Sequence, residues 1–480
     1  MIRRISAAVL LGLAACSVAP YAAAQEIGRA PLVPGAAART PFLGGVASDE
    51  APGPPLSLSL ADALRRGLER NLGVLLEEQR VRAAEGARWR QLGGLLPNVS
   101  ATLHETREKV NLAAFGFTGF PGVPNIIGPF NVFDARVSVS QPVFDKSALF
   151  DAREGAASLR AERLAYQDAR NLVMLVVTNL YLQTVAQESR VEASRAQGET
   201  AESLYRLAVD QNSAGVVPRI EVLRADVERK AATQRRIVAE NESARARLVL
   251  ARAIGLPRMQ VFVIADRMTY SAAPVFDPAV ALTEAYARRP DFQQAQARVE
   301  AARAALSAAR AERLPRLTLD ANVGWIGTEP ASAASTFAVA ANVHVPIFAA
   351  GRTQARALEN DAELRRREAE LEDLRSGIFY EIETALRDVT AAAEQVAVAQ
   401  STVDLSAEAL TQSEDRFRAG VAANIEVIQA QGASVAAREA LIASLYAHNL
   451  AKAAVARAIG VVEQDFSGFM EGQAPWQSPR

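Results

Sequence analysis

The chain has 480 residues, half of them apolar, and its 53 basic and 54 acidic side chains leave a net charge of −1. That balance excludes a disordered chain and a polycationic surface for nucleic acid. One cysteine, Cys16, and three scattered histidines, His104, His344 and His448, exclude intrachain disulfides and speak against a metal centre.

In chain order, Arg3 and Arg4 followed by the apolar run Ile5 to Ala15 form a targeting segment, so the protein is exported. Its end has two readings. Ala22-Ala23-Ala24 before Gln25 gives a signal peptide over residues 1–24, whereas Leu13-Ala14-Ala15-Cys16 resembles a lipobox ending the leader at 15, with Cys16 lipidated. Residues 25–55, rich in Pro, Gly and Ala, predict an extended, mostly disordered lead-in. Beyond the leader no run of eighteen apolar residues occurs, so no transmembrane helix is expected.

A first repeat spans 56–256 and a second spans 279–462, separated by a connector at 257–278 and followed by a tail at 463–480. Each repeat opens with a predicted helix of roughly 35 residues, from Leu60 to about Leu96 and from about Leu282 to Leu314. The period then changes from helical to two. Val99, Ala101 and Leu103 alternate with polar residues, as do Phe133 to Val139, Leu317 to Trp325 and Phe337 to Val345, giving four strands of about ten residues. An apolar loop, 112–130, joins the first two. Taken alone, such strands suit a soluble half-buried sheet as well as a membrane wall, and only the geometry below favours the membrane.

Long helices follow, starting near Asp145 and Ala349 and turning at Ala214-Gly215-Val216 and Ala419-Gly420-Val421. Both turns, and the distal ARAIG at 251–255 and 456–460, recur at an offset of 205 residues. A heptad column, Ile382, Val389, Val396, Val403, Leu410 and Phe417, runs beside Ile378, Ala385, Ala392 and Ala399. About seventy residues at 1.5 Å each make a rod of about 100 Å. Two shorter helices stacked end to end match one such rod, with the connector outside the wall at mid-height. The many Glu/Arg pairs on these helices are read as solvated faces. Four strands cannot close a barrel alone, so strands in a membrane require several chains to share one.

This order of helix, strand pair, long helix, turn and helix, with the paired motifs AGVVPRIEV and AGVAANIEV, resembles the TolC family of outer-membrane efflux proteins over about Leu56 to Val462. The resemblance implies a mixed α and β membrane protein, a homotrimer with a shared twelve-strand barrel and a periplasmic α-helical tunnel. It implies a passive outer-membrane duct coupled through a periplasmic adaptor to an inner-membrane pump. On the family's pattern Gly215, Val216, Gly420 and Val421 form adaptor-contact tips. Glu426, its counterpart Glu221, and Gln429 (where some members have a second acid) line the periplasmic aperture. Phe144, Phe348 and Trp325 mark the membrane interface. No nucleophile beside a base, phosphate loop or metal spacing is present, so neither an enzyme nor a cofactor is expected. The competing reading is a periplasmic adaptor or coiled-coil scaffold, although adaptors carry soluble β domains at the hairpin base.

Overall fold

The computed structural model describes residues 41–48, 51, 53–116, 124–419, 421, 423–461 and 463–472. The leader with Cys16, the lead-in up to 40, loop residues 117–123, Gly420 and the tail beyond 472 lie outside them. The first repeat runs β1 (Leu56–Leu58), α1 (Leu60–Arg70), α2 (Leu72–Gly93), β2 (Asn98–Asn111), β3 (Ile126–Phe144), α3 (Lys146–Ser213) and α4 (Arg219–Ala253). The second runs β4 (Phe262–Ile264), α5 (Pro278–Arg288), α6 (Pro290–Ala311), β5 (Arg316–Gly327), β6 (Ala334–His344), α7 (Arg352–Arg418) and α8 (Asn424–Ala458), with α9 (Glu463–Met470) last. Helix lengths repeat almost residue for residue, 68 against 67 for the long pair and 35 against 35 for the returning pair, as matched packing in one wall demands.

The leading helix of each repeat is not the single segment expected from periodicity. It breaks at Asn71 (φ −66°, ψ 132°) in the first repeat and at Arg289 (φ −67°, ψ 119°) in the second. Pro290 explains the second break, because its ring drives the preceding residue to extended backbone and it offers no N–H. At the first, the Asn71 side chain caps α2 by accepting from the Gly73 amide at 2.9 Å. The same two residues hold the repeats together. Asn71 Nδ2 donates to the Ala253 carbonyl at 3.1 Å, and Arg289 Nη1 to the Ala458 carbonyl at 3.2 Å. Those carbonyls end α4 and α8 and have no partner inside their own helices. The recurring ARAIG thus marks two capped helix ends. Its glycine, Gly255, sits at φ +64°, where an added Cβ would stand 2.5 Å from Arg70 Cβ.

Around the long helices the shorter ones stack. Nearer the sheet α3 packs between α2 and α6, and farther away between α4 and α8, with α7 beyond α6 and α8. The wall therefore has four lanes, a stacked pair alternating with a rod. On α7 most of the expected column is buried, Ile378, Ile382, Ala385, Val389, Ala392, Val396, Ala399 and Phe417, while Val403 and Leu410 are only partly covered. Both flanks of the wall remain apolar and exposed, with Tyr380, Val398 and Leu405 on α7 and Val227, Ile237 and Leu248 on α4. The Glu/Arg pairs stay solvent-exposed, and several also cross between lanes. Arg163 meets Glu85 at 2.8 Å, Arg190 meets Glu439 at 3.0 Å and Arg303 meets Glu368 at 3.0 Å. Half-exposed pairs add about 0–1 kcal/mol each, so they favour a register more than they stabilise it.

At mid-height β1 and β4 pair in parallel, Leu56 opposite Phe262. Tyr181, halfway along α3, donates to the Leu58 carbonyl at 3.0 Å and ties this small sheet to the wall. β4 of the connector therefore lies beside the middle of α3. The first residues of the tail, by contrast, form α9. Lys452, fully buried on α8, donates to Ser271 O and Ser271 Oγ at 3.0 Å each and to Met470 O at 2.7 Å, holding α9 in place. Burial holds this lysine's pKa down to about 8 from 10.5. Across that interval the unfolded chain keeps a proton that the folded chain has released, so the site's contribution to stability rises with pH. Wild type should gain stability over Lys452→Met as pH is raised from 8 towards 10.5 in matched unfolding curves. Parallel curves would refute this.

Candidate functional site

The second sheet has the order β2-β3-β5-β6, antiparallel throughout. Its strands of 14, 19, 12 and 11 residues outrun the expected ten, because β2 and β3 continue as a hairpin beyond the alternating core. Register sorts the side chains by face. One row across all four strands reads Val99, Val139, Ala321, Val339, and the next row on that face reads Ala101, Val137, Val323, Phe337. The intervening row reads Ser100, Ser138, Asn322, Ala338.

The apolar face meets solvent in a single chain, with Leu103 73% and Phe337 81% exposed. A sheet face so apolar and so open needs a cover. The polar face is cross-linked: Arg136 reaches Asp134 at 2.8 Å and Asn322 at 3.3 Å, while Asn342 donates to Asp320 at 2.7 Å. Each occupies a polar position in the strand alternation, which marks its face but not its partner. The outer edges of β2 and β6 have no partner strand among the described residues.

Toward the helices, a bulge between Pro142 and Phe144 shifts the register by one residue and brings Phe144 opposite Leu317, onto the apolar face. Phe144 is 51% exposed there, and Phe348, just past β6, is 89% exposed. Trp325 lies on the same face near the opposite end of β5. The three aromatics therefore sit at two levels, two at the helix end of the sheet and one towards its loops.

At the far end of the wall the two turns share one hydrogen bond. Val216 N donates to Gln211 O at 2.8 Å and Val421 N to Arg416 O at 3.0 Å, with both valines exposed. Gly215 adopts φ +74° with open space where a side chain would stand, so glycine serves the backbone there. Just above, Phe417, Leu204 and Val427 form a small buried cluster joining α7, α3 and α8.

Glu426 and Gln429 lie on the open side of the first turns of α8. Glu221 departs from the expected equivalence. Its side chain is only 11% exposed and bonds to Arg224 at 2.7 Å, which draws it into the helix seam. Glu426, at 44%, instead faces Arg416 across the turn at 3.7 Å. Arg416 was missed because its link to Glu426 spans ten residues and a reversal, and no periodicity signals that. One turn higher, Gln431 is 3% exposed and neither amide atom finds a partner among the described residues. Such a group weakens the packing that encloses it.

Comparison with known proteins gives a consistent picture. Residues 63–256 and 281–461 match the family described as outer membrane efflux protein. The chain is similar to the pyoverdine export outer membrane protein OpmQ of Pseudomonas aeruginosa, 29% identical over 412 residues, which make up 84% of this chain and 85% of that protein. It is also similar to the toluene efflux pump outer membrane protein TtgC of Pseudomonas putida, 24% identical over 405 residues, covering 81% and 80% of the two. Among solved structures, the outer-membrane channel OprN shares the fold with a TM-score of 0.71 at 20% identity, over 84% of this chain and 89% of that one.

Proposed function

This chain belongs to the outer membrane efflux protein family, and from that premise we propose that it works as a homotrimeric, passive export duct, opened through a periplasmic adaptor and an inner-membrane pump. It resides in the outer membrane, with its helices in the periplasm. One observation carries the assembly: the four-strand sheet has an apolar outer face and two edges with no partner strand among the described residues. In lipid each unpaired backbone group costs several kcal/mol, so β6 of one copy must pair with β2 of the next. Three copies give twelve strands and continue the four-lane wall through its apolar flanks.

The exposed valines at the turns, Val216 and Val421 with Gly215 and Gly420, supply the adaptor-facing end. Glu426 and Gln429 then stand at the mouth, where the weakly held seam around Gln431 gives way when the duct opens. The relatives named above serve pyoverdine export and toluene efflux. That range fits a duct whose wall sets size and charge while the pump selects the cargo. Planar-bilayer recording of the detergent-purified protein tests the reading. Discrete conductance steps from a species of three chains are expected. A protein that is monodisperse without detergent, or folded but silent in the bilayer, would replace the duct with an adaptor or scaffold.

A further inference from the structure

Just below the sheet, the ends of four helices stand abreast. Gln91 of α2 bonds to Glu154 of α3, Ser147 of α3 donates to the Ala308 carbonyl of α6 at 3.1 Å, and Arg310 of α6 reaches Asp361 of α7 at 3.4 Å. Six exposed cations lie in this belt: Arg88, Arg90, Lys146, Arg153, Arg313 and Arg352. Among the described residues none of the six meets a carboxylate, although their neighbours Arg310 and Arg356 do. They interleave with apolar side chains that are exposed or partly exposed. Arg88 and Arg90 flank Trp89, which is 67% exposed, and Lys146 and Arg153 stand 6.0 and 5.1 Å from the Phe150 ring.

Helical geometry separates the charges on α3. Lys146, Leu149 and Arg153 share one face, while Asp151 lies opposite it and Glu154 stands to one side, bonded to Gln91 and Ser158. Leu149 is 41% exposed between the two cations, so this face is both basic and apolar. Arg316 is excluded, because its register places it on the polar face of the sheet opposite His344. Phe144 and Phe348, at the rim just above, fix where the hydrocarbon ends in the proposed duct.

We propose that this collar docks on anionic phospholipid headgroups of the periplasmic leaflet, the uncompensated cations taking phosphate oxygens while Trp89 and Leu149 enter the headgroup boundary. The inference rests on the sheet being the part that spans the membrane. Charge complementarity selects the occupant: a neutral headgroup carries its own ammonium, whereas an anionic one leaves the phosphate open to arginine.

The test reconstitutes wild type, Lys146→Gln/Arg153→Gln/Arg313→Gln and the charge-retaining Lys146→Arg/Arg153→Lys/Arg313→Lys into nanodiscs of phosphatidylcholine with or without phosphatidylglycerol. Native mass spectrometry then counts the retained lipids. Wild type and the charge-retaining protein should prefer phosphatidylglycerol, by on the order of fivefold per cation engaged. The neutral triple variant should lose most of that preference while still conducting in a bilayer. The collar is overturned if wild type inserts and conducts but shows no headgroup preference, or if the neutral variant keeps it. It is equally overturned if inorganic phosphate alone raises the thermal midpoint as much as phosphatidylglycerol does, because an anion site and not a lipid surface would then be present. Failure of wild type to insert at all would overturn the duct, and the collar with it.

Discussion

Arg289→Ala should cause the largest single-residue loss of stability in this protein, about 3–5 kcal/mol, the usual cost of stripping one partner from a buried ion pair. Arg289 is 4% exposed, and its guanidinium bonds on all three nitrogens. Nη2 and Nε donate to the two Asp291 oxygens at 2.7 and 3.1 Å, and Nη1 to Glu381 at 2.7 Å and to the Ala458 carbonyl at 3.2 Å. One side chain thus joins the α5–α6 break, α7 and the end of α8. Asp168 of α3 extends the cluster through Arg457 at 3.3 Å. Burial pushes the Asp168 carboxyl up, against the pull of Arg457.

Alanine would leave Asp291 buried without its cation. Burial alone would raise that carboxyl, but the hydrogen bonds and charge of Arg289 outweigh it and hold Asp291 below its usual 3.8. A depressed carboxyl stabilises the fold above its unfolded pKa and stops doing so as pH falls through the folded value. The gap between wild type and Arg289→Ala should therefore be full at neutral pH and narrow below 3.8. Chemical denaturation at two pH values measures both statements. Arg289→Lys should fall between the two proteins, because an ammonium keeps the charge but loses the fork that grips both oxygens. A loss below about 1 kcal/mol at neutral pH would mean the network is dispensable.

How far the sequence foretold this structure follows from the range of each interaction. The heptad column on α7 and the two faces of the sheet were legible because apolar side chains recur there every seven or every two residues. Asp145 was legible as a start because a cap acts locally, and its carboxylate accepts from the Ala148 amide at 3.0 Å. The break at Asn71 was hidden because periodic leucines run on through it, whereas Pro290 marks the break at Arg289 locally. What no local pattern shows is that each break residue bonds to a carbonyl 182 residues away in one case and 169 in the other. The waist depends on Leu56 finding Phe262, which no local pattern announces. Glu221 and Glu426 show the limit within the candidate site. They occupy matching places in duplicated motifs, yet Arg224 bonds to one inside its own helix and Arg416 faces the other across a turn, so one is buried and the other open.

That difference leads to opposite shifts in ion selectivity for Glu426→Ala and Arg416→Ala. Glu426 lies in the first turn of α8, where free amides favour an anion, and Arg416 in the last turn of α7, where free carbonyls favour a cation. Each helix end thus supports its own charge, and the turn sets the two 3.7 Å apart. Both are substantially exposed, so solvent screening leaves the pair worth no more than about 1 kcal/mol. In the proposed trimer three such pairs ring the mouth, and the field of the carboxylates is largely cancelled. Arg416→Ala would unmask three carboxylates in a narrow, low-dielectric mouth and raise the preference for cations. Glu426→Ala would leave three guanidiniums and turn the preference towards anions. Reversal potentials in a salt gradient read the sign directly, and the effect should fade as ionic strength approaches 1 M, where the Debye length falls to about 3 Å. Gln429 sits one turn farther along the same open side, so Gln429→Glu should add to the cation preference only when Arg416 is absent or already paired. Shifts of the same sign for Glu426→Ala and Arg416→Ala would remove these residues from the mouth, whatever the conductance of the duct.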